Sequence, residues 1–237
     1  MDVHFVKAFD LPESWFKCLK LCLEKGYEYT IEKGSRVGCK RKELDFVVVQ
    51  VKNPKFRPII PEVPKEVPPP TSHQFVNEYM TYLVTGFKKE EDYTYGERLA
   101  EFPYFKGFML EAKRKINQIQ EVIRMYKEEG FETNQACMEV AMPSDIKLEN
   151  PPCMRLVDTR IRYGKLHFFV YFRSWDLWGG YPTNMAALQL LKEWMAEEIG
   201  VEDGELIALS KGLHLYDTEW ELAKIVVQPK TRRKIEK

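Results

Sequence analysis

The chain has 237 residues, 44% hydrophobic and 30% charged, a globular balance that excludes general disorder; with no run of about 18 apolar residues it excludes a helical membrane span as well. Lysine plus arginine equals aspartate plus glutamate at 36 each, so no overall field recruits nucleic acid or an anionic membrane, and any anion site must be local. The five cysteines lack paired CxxC spacing and meet only four histidines, which argues against a metal site. Together with an N-terminus that has no signal-peptide pattern, this points to a reducing cytoplasm.

In chain order, residues 12–25 begin with Pro12 and stop at Gly26, with Trp15, Leu19 and Cys22 along one helical face, which predicts a short amphipathic helix. Residues 44–51 (LDFVVVQV) are β-branched and predict a buried strand. Residues 57–70 hold six prolines (RPIIPEVPKEVPPP) and predict a stiff connector outside the core. Ser72 is placed to cap a helix running to Gly86. A second helix is expected over 108–129, with Met109, Ala112, Ile116, Ile119, Ile123 and Tyr126 as its stripe. The intervening DYTYGERLAEF reads as an aromatic-rich loop.

Strands are expected at 138–141 and 154–161, then a turn at 162–164. The strand at 165–173 (KLHFFVYFR) is apolar on both faces and is expected to be central and covered on both sides. SWDLWGGYPTN reads as a loop whose Asn184 caps a helix over 185–199. Short strands at 206–209 and 213–216 flank Lys211-Gly212, Asp217 caps a last helix, and residues 228–237 form a basic tail. The fold class is α/β: a single domain over residues 1–237, a mixed β-sheet layered with helices.

Several side chains have the means to carry chemistry. Cys153 follows Pro151-Pro152, which hold the thiol at the start of a strand, so it is a candidate nucleophile as well as a candidate buried cysteine. Arg173 ends the neighbouring strand, where a guanidinium both lowers a thiol pKa and grips phosphate. Arg173, Ser174, Asp176 and Asn184 form a polar set before a helix N-terminus, which suits an anion. His214 and Tyr216 share one face of a strand.

In order along residues 150–224, a Pro-Cys pair (PPC), an R-S-x-D box (RSWD), a G-x-P-x-N box (GYPTN) and an H-x-Y box (HLY) resemble the thymidylate synthases. YFRSWDLWGG and SKGLHLYD are similar to a short archaeal branch of the family. The resemblance implies reductive methylation of dUMP, with 5,10-methylene-tetrahydrofolate or 5,10-methylene-tetrahydromethanopterin as one-carbon and hydride donor. It also implies a cytoplasmic homodimer that takes a small-molecule nucleotide, with no nucleic acid, membrane or metal. By position, Cys153 attacks C6 of the base and Arg173 and Ser174 hold the 5′-phosphate. Asp176 meets the pterin, Asn184 reads the O4/N3 edge, and His214 and Tyr216 bind the 3′-hydroxyl. Tyr95 matches the tyrosine of the Y-G box that serves removal of the C5 proton. Glu78 in NEYMTYLVTG resembles the family's helix glutamate, although its spacing to the next glycine is one residue longer than usual.

The chain also departs from the pattern. TNQACMEV offers Asn134 and Gln135 where the family carries an arginine pair for phosphate, which leaves Arg36 in GSRVGCK, or Arg98, to supply the charge. Met154 stands in place of histidine and Phe172 in place of glutamine, and the apolar C-terminal ending is missing. Three alternatives therefore stay open: a dUMP or dCMP hydroxymethylase, a non-catalytic nucleotide-binding protein, and a Cys-His hydrolase that requires Cys153 within reach of His214.

Overall fold

The computed structural model describes residues 1–34, 36–86, 92–106 and 109–228. Its elements are β1 (Val3–Ala8), α1 (Leu11–Lys25), β2 (Tyr27–Thr30), β3 (Lys40–Leu44), β4 (Phe46–Val51), α2 (His73–Val84), α3 (Tyr95–Ala100), β5 (Phe102–Lys106), β6 (Met109–Ile116), α4 (Gln118–Glu128), β7 (Cys137–Glu139), β8 (Met154–Arg162), β9 (Lys165–Phe172), β10 (Trp175–Asp176), α5 (Gly180–Ile199), β11 (Glu202–Ser210), β12 (Leu213–Tyr216) and α6 (Trp220–Val227). A mixed sheet runs β1-β4-β11-β9-β8-β7, and a smaller one runs β10-β12-β3-β2. In the large sheet β1 pairs with β4, and β11 with β9, in parallel. Mixed sheets packed with helices make this the expected α/β architecture.

The helical packing follows from simple patterning. The Asp10 side chain accepts the Glu13 N–H at 2.8 Å and starts α1, whose Trp15, Cys18, Leu19 and Cys22 are buried. The Trp15 indole donates to the Leu177 carbonyl, which ties α1 to the segment before α5. Along β9 the side chains alternate: Leu166, Phe168, Val170 and Phe172 are buried against the helices, each burial contributing about 1.5–3 kcal/mol. Lys165, His167, Phe169 and Tyr171 on the other face remain half-exposed. The strand is central as expected, but within one chain it is covered on one side only.

Other expectations are corrected by tertiary pairing. Residues 109–116 form β6, antiparallel to β5, and the helix starts only after Asn117, whose side chain accepts the Gln120 N–H. Hairpin pairing overrides the helical spacing there; Phe108 lies outside the described residues. The "loop" around Tyr95 contains α3, opened by a reciprocal Thr94–Glu97 capping box. The proline segment is not wholly outside the core, since Ile59 and Val67 are 5% and 3% exposed. Leu44 closes β3 in the small sheet, whereas 46–51 is the buried strand of the large one.

Asn184 caps nothing. Helix α5 begins at Gly180, because the Asp176 carboxylate accepts the N–H groups of Trp178, Gly179 and Gly180 at 3.2, 3.2 and 2.9 Å and so completes an earlier first turn. Asp217 accepts the Lys40 N–H and does not cap α6. Residues 229–237 of the basic tail lie outside the described residues. No helix among the described residues is long and apolar enough to cross a membrane.

Candidate active site

Cys153 sits where β8 begins. The Arg173 N–H donates to its carbonyl at 2.8 Å, and the guanidinium donates to the Pro152 and Pro151 carbonyls at 3.1 and 2.5 Å. Two prolines with fixed φ therefore present their carbonyls to one arginine, and the backbone that carries the thiol is tied to the end of β9. Burial pushes the thiol pKa above its ordinary value; Arg173 opposes this most, then Arg41 and Arg155, while Asp176 adds to the rise. The resting thiol is thus protonated near neutrality, with three guanidinium groups in place to favour the thiolate.

Tyr95 reaches the same spot from α3. Its hydroxyl oxygen accepts the Met154 N–H at 3.1 Å, and burial together with Cys153 raises its pKa. Gly96 makes this approach possible: a Cβ there would fall 1.9 Å from the Thr85 carbonyl oxygen and 2.1 Å from that of Tyr82. Only glycine lets α3 dock against the end of α2.

Helix α2 delivers a tyrosine, not its glutamate. Glu78 is exposed and accepts a hydrogen bond from Gln74. The next residue, Tyr79, turns inward; its pKa is pushed well up by burial and by Tyr95, Tyr82 and Cys153, with the Asn184 side chain acting in the opposite sense. Its ring stacks on Tyr82, 5.4 Å between centroids, and Tyr82 meets Tyr95 edge-on. The one-residue excess in spacing before Gly86 was the available signal, because shortening it by one step lands on Tyr79.

Beside Tyr79, Asn184 Oδ1 accepts the Trp175 indole N–H at 2.8 Å. Ser174 is half-exposed beside it, and Asp176 is engaged with the start of α5. His214 is buried, and its Nδ1 lies 2.8 Å from the Gly212 carbonyl oxygen. A carbonyl only accepts, so Nδ1 carries the proton and Nε2 is left as an acceptor; Nε2 has no hydrogen-bond partner among the described residues. Burial, then Arg41, lowers the His214 pKa to about 4, so the ring is neutral. No hydrogen bond joins Cys153 to His214 among the described residues, and the proton on Nδ1 faces Gly212.

Tyr216 packs edge-on against His214 and lies under two guanidinium groups, Arg36 at 4.1 Å and Arg41 at 5.1 Å from its ring centroid. Arg36 also pairs with Glu219 at 3.6 Å. Arg41 escaped the sequence reading, since nothing in a charged run such as KRKEL marks it. The antiparallel register of β3 on β12 sets it opposite Tyr216, whose hydroxyl accepts from it at 3.1 Å. Arg98 is committed elsewhere, buried against Asp145 at 2.9 Å. Asn134 and Gln135 are exposed ahead of β7. No group of three His, Cys, Asp or Glu side chains arranged for a metal occurs among the described residues.

The α/β fold thus brings together a cysteine thiol, guanidinium groups, phenols, a neutral histidine and an anchored amide. The sequence pattern of the family described as thymidylate synthase matches residues 42–236. A Methanosarcina acetivorans protein named "Putative thymidylate synthase" is 30% identical over 226 residues, covering 95% of each chain. A like-named Methanocaldococcus jannaschii protein is 30% identical over 77% of this chain and 79% of its own. The "Thymidylate synthase" of Listeria monocytogenes is 31% identical over 55% of this chain and 40% of its own. The chain belongs to the thymidylate synthase family.

Proposed function

We propose that the protein makes dTMP from dUMP by reductive methylation through a Cys153 adduct at C6 of the base. The observation that carries this reading is the convergence of Cys153, Arg173, Tyr95 and Tyr79 with Asn184 at one point of a family-member fold. The Cys153 thiolate adds to C6, its electron pair forming the C6–S bond while the C5=C6 pair moves toward O4 and makes C5 nucleophilic. Arg173, Arg41 and Arg36 hold the 5′-phosphate, with Ser174 as a hydroxyl donor, in place of the missing arginine pair. His214 Nε2 accepts the 3′-hydroxyl proton, and Tyr216 flanks the sugar. The Asn184 amide faces the O4/N3 edge. Tyr95 orders the removal of the C5 proton, and Tyr79 takes the position toward O4 that the resemblance first gave to Glu78. Expulsion of the thiolate restores the ring double bond.

The one-carbon unit and hydride come from a methylene-tetrahydropterin, either the folate or the methanopterin form. The chain's residues fit such a group: a pterin offers ring N–H donors, and Asp176 Oδ1, which accepts one backbone N–H from Trp178, keeps a lone pair for such a donor. Formation of a homodimer is favoured by the open sheet face, where Phe169, Tyr171, Ile207 and Leu209 are half-exposed.

The test is tritium release from 5-tritiated dUMP with each purified methylene donor, followed by product analysis. A methyl product with oxidised pterin supports the reading. A hydroxymethyl product with the pterin oxidation state unchanged supports the hydroxymethylase instead, and dUMP binding without release supports a non-catalytic role.

A further inference from the structure

An amide that recognises a pyrimidine is useful only if it cannot turn over. Uracil shows an N3–H donor beside an O4 acceptor, whereas cytosine shows an N3 acceptor beside an amino donor, so a freely flipping asparagine satisfies both. Asn184 is not free, because its Oδ1 accepts the Trp175 indole N–H at 2.8 Å. An indole nitrogen only donates. Flipping the amide would set its NH2 against that N–H and leave both donors without an acceptor in a half-buried place.

The indole itself has little freedom. Trp175 is 2% exposed, stacked on Phe172 at 3.9 Å with the rings 6° from parallel, and packed on Tyr181 at 4.5 Å. Its backbone N–H donates to the Gly212 carbonyl, which fixes β10 beside β12. The second lone pair of Oδ1 remains to meet a donor, and Nδ2, which also donates toward the Tyr79 hydroxyl, has a second N–H for an acceptor. That is the pattern complementary to uracil.

We propose that Trp175 is a positioning residue which, by locking the Asn184 amide, makes the site select uracil over cytosine nucleotides. This rests on the nucleotide reading of the site given above and adds to it the residue that sets base choice. Trp175→Phe keeps the stacked ring and removes only the donor.

The experiment compares dUMP and dCMP, by equilibrium binding and by C5 tritium exchange, in wild type, Trp175→Phe, Asn184→Ala and the double variant. The expected result is a wild-type preference for dUMP that falls about tenfold or more in folded Trp175→Phe, the consequence of freeing one buried hydrogen bond. In the Asn184→Ala background the further substitution should leave the ratio unchanged. An undiminished dUMP preference in folded Trp175→Phe overturns the inference alone. Wild-type protein that binds neither nucleotide overturns the function reading, and this inference with it. Should the variant fail to fold, neutron diffraction of wild-type crystals decides: deuterated nitrogen of Asn184 facing Trp175 overturns the proposal, and oxygen facing it supports it.

Discussion

The hydroxyl oxygen of Tyr95 accepts the backbone N–H of Met154, the residue that follows the candidate nucleophile, at 3.1 Å. One phenol thus anchors the strand that carries Cys153 and stands beside its sulfur. Tyr95→Phe removes the acceptor and leaves a buried N–H unpaired, at a cost of about 1–3 kcal/mol. Urea unfolding should register that loss, and tritium release from 5-tritiated dUMP should fall at least tenfold beyond it under conditions where the variant is fully folded. Release at the wild-type rate would restrict Tyr95 to the anchor.

Cys153→Ser should abolish covalent trapping by 5-fluoro-dUMP while leaving the melting temperature within a few degrees of wild type. A serine hydroxyl is scarcely ionised at neutral pH and adds poorly to a pyrimidine. A retained adduct in the variant, seen as unchanged intact mass gain, would rule out Cys153 as the attacking group.

Guanidinium groups hold the thiol pKa down against burial, and Arg41 is the second of them in strength. Arg41→Gln should therefore move the inflection of Cys153 alkylation by iodoacetamide to higher pH, so that the rate at pH 8 drops. The measurement is the pH–rate profile of single-site labelling followed by mass spectrometry. A profile that stays in place would restrict Arg41 to its bonds with Tyr29, Glu43 and Tyr216.

His214 predicts a pH dependence of stability. Its pKa is near 6.5 when unfolded and about 4 in the fold, so between these values the unfolded chain binds the proton and the folded chain does not. The stability of the fold with a neutral ring is complete above about pH 6.5 and is lost as pH falls toward 4, by on the order of 3 kcal/mol, because burial and then Arg41 oppose charging the ring. His214→Gln should flatten that part of the denaturation profile. An equally steep acid loss in the variant would assign it to other groups.

Gly96→Ala tests the docking of α3 on α2. The new methyl would meet two backbone carbonyl oxygens at 1.9 and 2.1 Å, and backbone cannot swing aside as a side chain can. Destabilisation of about 3 kcal/mol or more is expected, with loss of 5-fluoro-dUMP trapping as Tyr95 is displaced. Wild-type stability would show that α3 has room to shift.

What could be read from the chain itself was local and ordered. The Pro-Pro-Cys lead-in to a strand, the Ser72 cap and the apolar alternation of β9 each depend on neighbours within a few residues, and these stand in the structure. Tertiary contact decided the rest. An asparagine before an apolar helix suits its free N–H groups and predicts a cap at Asn184, but Asp176 reaches those groups first and the amide is left to Trp175. Glu78 and Tyr79 differ by one step on a helix, about 100° of rotation, and only the packing of α2 against Tyr95 determines which of them faces the thiol. Arg41 enters the site through the register of β3 on β12, a pairing between residues far apart in the chain. Local spacing encodes which groups a segment carries, and the direction in which a side chain points at a distant partner is set by strand register and helix rotation, which no short stretch of sequence contains.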